Sequence, residues 1–211
     1  EKVNNQTINK KHLRVLFLID LYFKNKYNTL MKINNNKTRN KMKKIAVIDL
    51  ECTCDNSDNP IVPRDKMEII EIGCVIADLE GNTYQEFNVF IKPTLYPVLT
   101  PFCMELTTIT QEQVDNGVSL DKAMDLLDEF LFNQNVEVWG SWGAFDKNQI
   151  LKDLKNHKIS ENKFPFLNLK HVNISESYFK NQGLSRKCGV RKALSQQKMK
   201  FIGTPHRGID D

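Results

Sequence analysis

Asp49 and Glu51 stand two positions apart at the end of an apolar run, Ile45-Ala46-Val47-Ile48-Asp49-Leu50-Glu51. On a strand, residues at that spacing point to the same face, so the two carboxylates project side by side. Carboxylates that close repel and raise each other's pKa unless a cation sits between them. A third, Asp146, follows Trp142-Gly143-Ala144-Phe145 directly after another β-type run. If that run lies beside the first, Asp146 comes up at the same sheet edge. Oxygen ligands of this kind suit Mg²⁺ or Mn²⁺ rather than zinc. Further on, Gly203-Thr204-Pro205-His206-Arg207-Gly208-Ile209-Asp210-Asp211 offers a histidine with a carboxylate five positions later. That spacing does not share a helix face, so His206 belongs to a loop and Asp211 to the first turn of a helix. A neutral histidine there could take a proton from a water while Asp211 stays on the metal. Carboxylates with one proton acceptor are what metal-assisted phosphodiester cleavage requires.

The elements that must position these groups follow from periodicity and punctuation. Lys44–Glu51 reads as a buried strand, Glu68–Leu79 as a second with polar breaks at Glu68, Glu71 and Asp78, and Glu80-Gly81-Asn82 as a hairpin turn. Thr83–Ile91 alternates like a strand with one face covered. Thr100–Thr108 reads as a short helix, and Thr110 with Gln113 forms a capping-box pattern for a turn over Gln111–Val114. Ser119 caps a longer helix whose Leu120, Ala123, Met124, Leu127, Phe130 and Leu131 keep the 3.6-residue period. Val136–Trp142 reads as a fourth strand, Phe145–Asn156 as a helix and Leu169–Ile174 as a last strand. Val190, Ala193 and Leu194 mark the buried stripe of a closing helix. A β-meander followed by β-α-β crossovers predicts an α/β fold, a mixed sheet with helices on both faces.

The 211 residues carry a formal net charge of +4, but the excess is local. Residues 1–41 hold ten Lys and Arg against Glu1 and Asp20, leaving twenty basic and twenty-four acidic groups for the other 170 residues. This Asn- and Lys-rich leader reads as disordered or not native, ahead of a domain over 42–211. Its apolar Val15–Ile19 is interrupted by Asp20, lacks a small-x-small cleavage pattern and is too short to cross a bilayer. Five cysteines, an odd number without framework spacing, point to a reducing, cytoplasmic compartment. Cys52-Thr53-Cys54 has no second ligand pair at zinc-site distance. His157 and His171 read as surface or structural residues. Lys180, Arg186, Lys187, Arg191, Lys192 and Arg207 could steer a phosphate backbone, or simply solvate a helix face.

Taken in order, Ile48–Cys54, Glu68-Ile69-Ile70-Glu71-Ile72-Gly73, Phe102–Thr107, Ile109–Asp115, Ser141–Asp146 and His206–Asp211 resemble the DEDDh, or DnaQ-like, 3′→5′ exonucleases. The likeness is to the branch of "enhanced RNA interference" and histone-mRNA 3′ exonucleases and its bacterial relatives, from about Lys44 to Asp211. The resemblance implies a ribonuclease H-like fold and two divalent ions on Asp49, Glu51, Asp146 and Asp211, with His206 as general base. It implies Leu106 and Ile109, with Trp142, as contacts for the terminal nucleotide. The implied activity is release of nucleoside 5′-monophosphates from single-stranded RNA or from an RNA 3′ overhang, without a membrane partner. DNA as substrate, or a module that binds 3′ ends without turnover, are the alternatives. Two features depart from the family pattern: Thr108 stands where the family usually has glycine, and the final helix beyond Asp211 is missing from the sequence.

Overall fold

Strand β1, Lys44–Cys52, is central because both of its faces find cover. The computed structural model describes residues 44–78, 82–201 and 203–209. The leader, the Glu80-Gly81 turn, Asp210 and Asp211 lie outside the described residues. Strand β2 (Ile69–Asp78) pairs antiparallel with β1, and β3 (Thr83–Phe90) antiparallel with β2. Helices α1 (Pro101–Thr107), α2 (Gln111–Asp115) and α3 (Leu120–Asn133) follow. Strand β4 (Val138–Ser141) then runs parallel to β1 and leads into α4 (Phe145–Asn156). Strand β5 (Lys170–Asn173) is parallel to β4, and α5 (Ile174–Asn181) and α6 (Val190–Gln196) complete the order. The sheet order β3-β2-β1-β4-β5 is the mixed sheet the sequence implied.

Alternation along β1 sorts its residues between two cores. Ala46, Ile48 and Leu50 face the larger one, with Leu120, Ala123, Met124, Leu127 and Leu131 of α3 and Ile150 and Leu154 of α4. Each fully buried aliphatic side chain there contributes about 1.5–3 kcal/mol. Ile45 and Val47 face the other, with Val172, Ile174, Tyr178, Ala193 and Trp142. Helices α3 and α4 therefore cover one face and α5 and α6 the other. Helix α5 was not anticipated from the sequence, which assigned Ile174 to the strand. The strand ends one residue earlier, because the Asn173 side chain accepts from the Glu176 N–H at 2.9 Å and starts a helix without an intervening loop. The fourth strand is likewise shorter than Val136–Trp142.

A buried polar node fixes α4, and so Asp146 in its first turn, against the sheet. Asp153 accepts the Ile69 N–H at 2.7 Å through Oδ2. Its Oδ1 lies 3.1 Å from His157 Nδ1, whose hydrogen bond goes to the Asp153 main-chain oxygen at 2.9 Å. His157 Nε2 reaches Thr94 Oγ1 at 3.0 Å and Glu68 Oε1 at 3.1 Å. Glu68 in turn accepts the N–H groups of Thr94, Leu95 and Tyr96 at 2.7, 2.8 and 2.8 Å. His157 is thus the satisfied structural residue expected of it. Burial pushes the Asp153 pKa up to about 6, against the lowering pull of the Ile69 N–H and of His157.

Thr108 ends α1 in the left-handed region at φ 59°, its N–H returning to the Met104 oxygen at 2.9 Å. A β-branched side chain is strained there, whereas glycine is not. Thr108→Gly should raise the unfolding free energy by about 1 kcal/mol, read as a higher urea midpoint; a lower midpoint would mean that the Thr side chain contributes more than its backbone costs. For Asp153 the folded pKa is raised above the unfolded value. Its contribution is therefore full below about pH 4 and lost as pH rises through about 6. Asn at 153 keeps the acceptor for Ile69 but cannot ionise. Asp153→Asn should gain stability relative to the parent between pH 4 and pH 6 and hold that gain above; a pH-independent difference in urea midpoints would refute the assignment.

Candidate active site

The same alternation that buries Ile45 and Val47 under α5 and α6 carries Asp49 and Glu51 along that face, past the edge of the helical layer. Parallel pairing sets Ile45, Ala46 and Val47 beside Val138, Trp139 and Gly140. The carboxyl ends of β1 and β4 consequently come up together, the usual place for a ligand crevice in an α/β sheet. Beyond β4 the chain turns at Gly143, whose φ of +120° suits glycine alone, and enters α4 one residue before Asp146. Asp49, Glu51 and Asp146 line one cleft of about 310 Å³, which they share with His206, Leu106 and Trp142. Of the sequence-derived site residues, six meet here.

Asp146 is only 4% exposed. Desolvation pushes its pKa up to about 6, while its own main-chain N–H, the Ser141 hydroxyl and the Leu50 N–H pull the other way. Its place in the first turn of α4 favours the anion as well. Ser141 Oγ also lies 3.0 Å from Nε2 of His171, whose pKa burial lowers to about 4, so that ring is neutral at pH 7. His171 packs against the Trp139 ring at 4.4 Å, a structural role as expected.

His206 is exposed on a turn with φ 59°. What holds that turn is its neighbour. Arg207 donates to Glu71 through Nε at 3.1 Å and a terminal nitrogen at 3.0 Å, and the Gly208 N–H adds a third bond at 3.2 Å. Glu71 is fully buried and also accepts from Asn88 Nδ2 at 2.7 Å. Beside it the two backbones touch: a Cβ on Gly73 would stand 2.0 Å from Gly208 main-chain atoms, and one on Gly208 would stand 3.2 Å from the Asp49 oxygen. The turn that carries His206 is therefore seated directly on β2, next to Asp49.

Some expectations change. Ile109 is fully buried with Ile70, Leu99, Cys103 and Val114, so it supports the cleft wall instead of touching a ligand. Arg207 is held by Glu71 and is not a backbone-steering residue. Val190 lines the cleft instead of closing a core stripe, and Met67, Cys54 and the 49% exposed Phe145 join it. Phe145 could have been suspected, since it directly precedes Asp146. Met67, Cys54 and Val190 carry no local signal.

The donor chemistry fits divalent ions that prefer oxygen: three carboxylates, those of Glu51 and Asp146 on buried residues, line an open cleft. Among the described residues no three His, Cys, Asp or Glu side chains are already gathered closely enough to hold a metal. Asp211, the fourth expected ligand, lies outside the described residues.

Residues 46–211 match a family model described as Exonuclease, RNase_T. The ERI1 exoribonuclease 3 of Mus musculus is 32% identical over 174 residues, covering 78% of this chain and 49% of the relative. The chain thus spans about half the length of the curated relatives it matches. Among solved structures, the nuclease domain of 3′hExo, a DEDDh family member bound to rAMP, superposes with a TM-score of 0.68 at 23% identity, over 82% of this chain and 88% of that one. A complex in which a 3′-exonuclease recognises the 3′ end of a histone mRNA stem-loop gives the same TM-score and identity, over 82% and 77%. The fold is the ribonuclease H-like one that the sequence implied.

Removing Arg207 would leave the buried Glu71 carboxylate without the guanidinium and its two hydrogen bonds. Arg207→Ala should cost about 3 kcal/mol of stability. In a double-mutant cycle, adding Glu71→Gln to Arg207→Ala should cost little more, because the uncompensated charge is gone. Additive losses in urea unfolding would show that the fork does not hold the turn.

Proposed function

Because the chain belongs to the exonuclease family described as RNase_T, we propose that it is a divalent-metal-dependent 3′→5′ exoribonuclease. On this reading it releases nucleoside 5′-monophosphates from single-stranded RNA or from an RNA 3′ overhang beside a duplex. The observation that carries the reading is the convergence of Asp49, Glu51, Asp146 and His206 in one cleft with Leu106 and Trp142. The relatives matched are named exoribonucleases, and one neighbour in fold recognises an RNA 3′ end. Those are properties of the relatives that support the choice of RNA here.

Asp49, Glu51 and Asp146, with Asp211, would hold two Mg²⁺ or Mn²⁺ ions. When bound, such ions supply Lewis acidity and neutralise charge at both ends of an in-line displacement at phosphorus. His206 takes the proton of the attacking water. Its exposed place on a turn seated against β2 keeps the ring at the rim of the cleft, open to solvent for the proton's onward release. Leu106 offers an aliphatic surface to the terminal base, a contact that grips any base alike. Trp142 is itself held by an Nε1–H bond to the Cys188 oxygen at 3.1 Å and by the Tyr178 ring at 5.9 Å, so it forms a fixed wall. The thiols of all five cysteines are unpaired, in keeping with a reducing compartment such as the cytoplasm. Among the described residues, no helix is long and apolar enough to cross a membrane.

The test is digestion of a 5′-labelled RNA with a stem and a single-stranded 3′ tail, in Mg²⁺, Mn²⁺ or EDTA, with a matched DNA alongside. A ladder that shortens from the 3′ end in either metal, stops in EDTA and falls at least 100-fold in Asp49→Ala is the expected result. Preference for the DNA would move the reading to a DNA exonuclease. Retained affinity for the 3′ end with no shortening in either metal would replace the enzyme with a binding module.

A further inference from the structure

From Ser177 to Ile209 the sequence carries eight Lys and Arg residues and no Asp or Glu. From Gln111 to Glu137 it carries seven Asp and Glu against Lys122 alone. The fold sets these stretches on opposite faces of the sheet, the acidic one with α3 and the basic one with α5 and α6. Three basic residues have local roles: Arg207 is engaged by Glu71, and Lys180 and Lys187 approach Glu176 at 2.7 and 4.0 Å. Arg186, Arg191 and Lys192 are exposed and make no ion pair among the described residues. Arg191 lies over the Phe201 ring at 5.6 Å.

This patch begins where the cleft ends. Val190, the first residue of α6, lines the cleft, and the Cys188 oxygen two residues earlier accepts from Trp142 in the cleft wall. A face that only needed hydration would be served by charges of both signs. Three exposed cations with no ion-pair partner among the described residues leave this border of the cleft with an excess of positive charge, which a polyanion would answer. The cleft's carboxylates are committed to holding cations at the scissile end, so attraction for the rest of a phosphodiester chain falls to its border.

We propose that Arg186, Arg191 and Lys192 form the track for the phosphate backbone of the strand whose 3′ end occupies the cleft. The nucleic acid leaves the site across α5 and α6 and avoids the acidic face of α3. The proposal rests on the exonuclease reading above and adds the direction of the substrate and the residues that grip it. Its signature is a dependence on substrate length and on salt, since each backbone contact releases counterions.

The experiment compares two charge-matched triple variants on two substrates. One combines Arg186→Gln, Arg191→Gln and Lys192→Gln. The other combines Lys122→Gln, Lys155→Gln and Lys158→Gln, exposed positions on the α3 and α4 side. The substrates are a 20-nucleotide single-stranded RNA and the p-nitrophenyl ester of a nucleoside 5′-monophosphate, too short to reach the track. The first triple should raise KM for the long RNA about tenfold at moderate salt and flatten the log–log salt slope by about 2. Its kcat, its ester hydrolysis and the whole behaviour of the second triple should stay unchanged. If both triples shift KM alike, or neither does, the track is refuted. An Arg186→Gln, Lys192→Gln double variant keeps the Arg191–Phe201 contact and guards against misfolding; it should show about two-thirds of the change in slope. If the parent protein cleaves neither substrate, the exonuclease reading fails on its own. The track is then judged by fluorescence anisotropy of the labelled 20-mer, where equal affinity of both triples overturns it and weaker binding by the first upholds it.

Discussion

A carboxylate with no access to water must find its counter-charge inside the fold, and Glu71 finds it in a residue 136 positions away. The planar guanidinium of Arg207 meets it with two hydrogen bonds, the kind of fork that a lysine could not reproduce. Asn88 and the Gly208 N–H complete the set. Because Glu71 lies on the central part of the sheet, this pairing decides where the chain after α6 comes to rest. Gly73 and Gly208 make the seat possible, since any side chain at either position would push the two backbones apart. The exposed His206 owes its place at the cleft to a neighbour that does no chemistry.

The carboxylates of β1 depend on a second constraint, the two-residue period of the strand. With Ile45 and Val47 committed to the core under α5 and α6, Asp49 and Glu51 have no choice of face. A register slip of one residue would turn them into the α3 and α4 core and carry Ile48 and Leu50 to the side of the cleft. Packing on the opposite face, through Ala46, Ile48 and Leu50 against α3 and α4, is what forbids the slip. Core energetics and site geometry are in this sense one requirement. Asp146 joins through the parallel pairing of β4, and its helix is fixed by the Asp153–His157–Glu68 node at the far end.

Local signals were legible in the sequence, and relations across the chain were less so. The apolar run into Asp49-Leu50-Glu51, the stripe of α3 and the Thr110–Gln113 capping box are written in spacings of a few residues, and the structure holds all three. Helix α5 escaped notice although Asn173-Ile174-Ser175-Glu176 is a helix-start signal, because Val172 and Ile174 alternate as a strand would. Ile109 illustrates another limit: its neighbours Ile70, Leu99 and Cys103 are distant in sequence, so nothing local says that its side chain is enclosed. Arg207 looked like one more surface cation, since the polar break at Glu71 that needed it lies on another strand. Thr108 was marked as a departure from the family pattern, and the structure gives the reason in its left-handed backbone.

The charge distribution then completes the functional logic. A nuclease cleft needs carboxylates to hold cations, yet its substrate is a polyanion, so attraction and chemistry cannot be supplied by the same groups. This fold separates them. Asp49, Glu51 and the desolvated Asp146 sit at the strand ends, where the sheet fixes their spacing. The cations sit one layer out, on the outer sides of α5, α6 and the segment between them, where a backbone can pass without crowding the site. Acidic α3 on the opposite face gives the molecule a polarity that, on the proposed reading, would orient a charged chain before any base is touched. Contacts of this kind carry no base identity. On the reading proposed, a cleft that accepts any terminal nucleotide, fed by a track that reads only phosphate, would suit the processing of ends whatever their sequence.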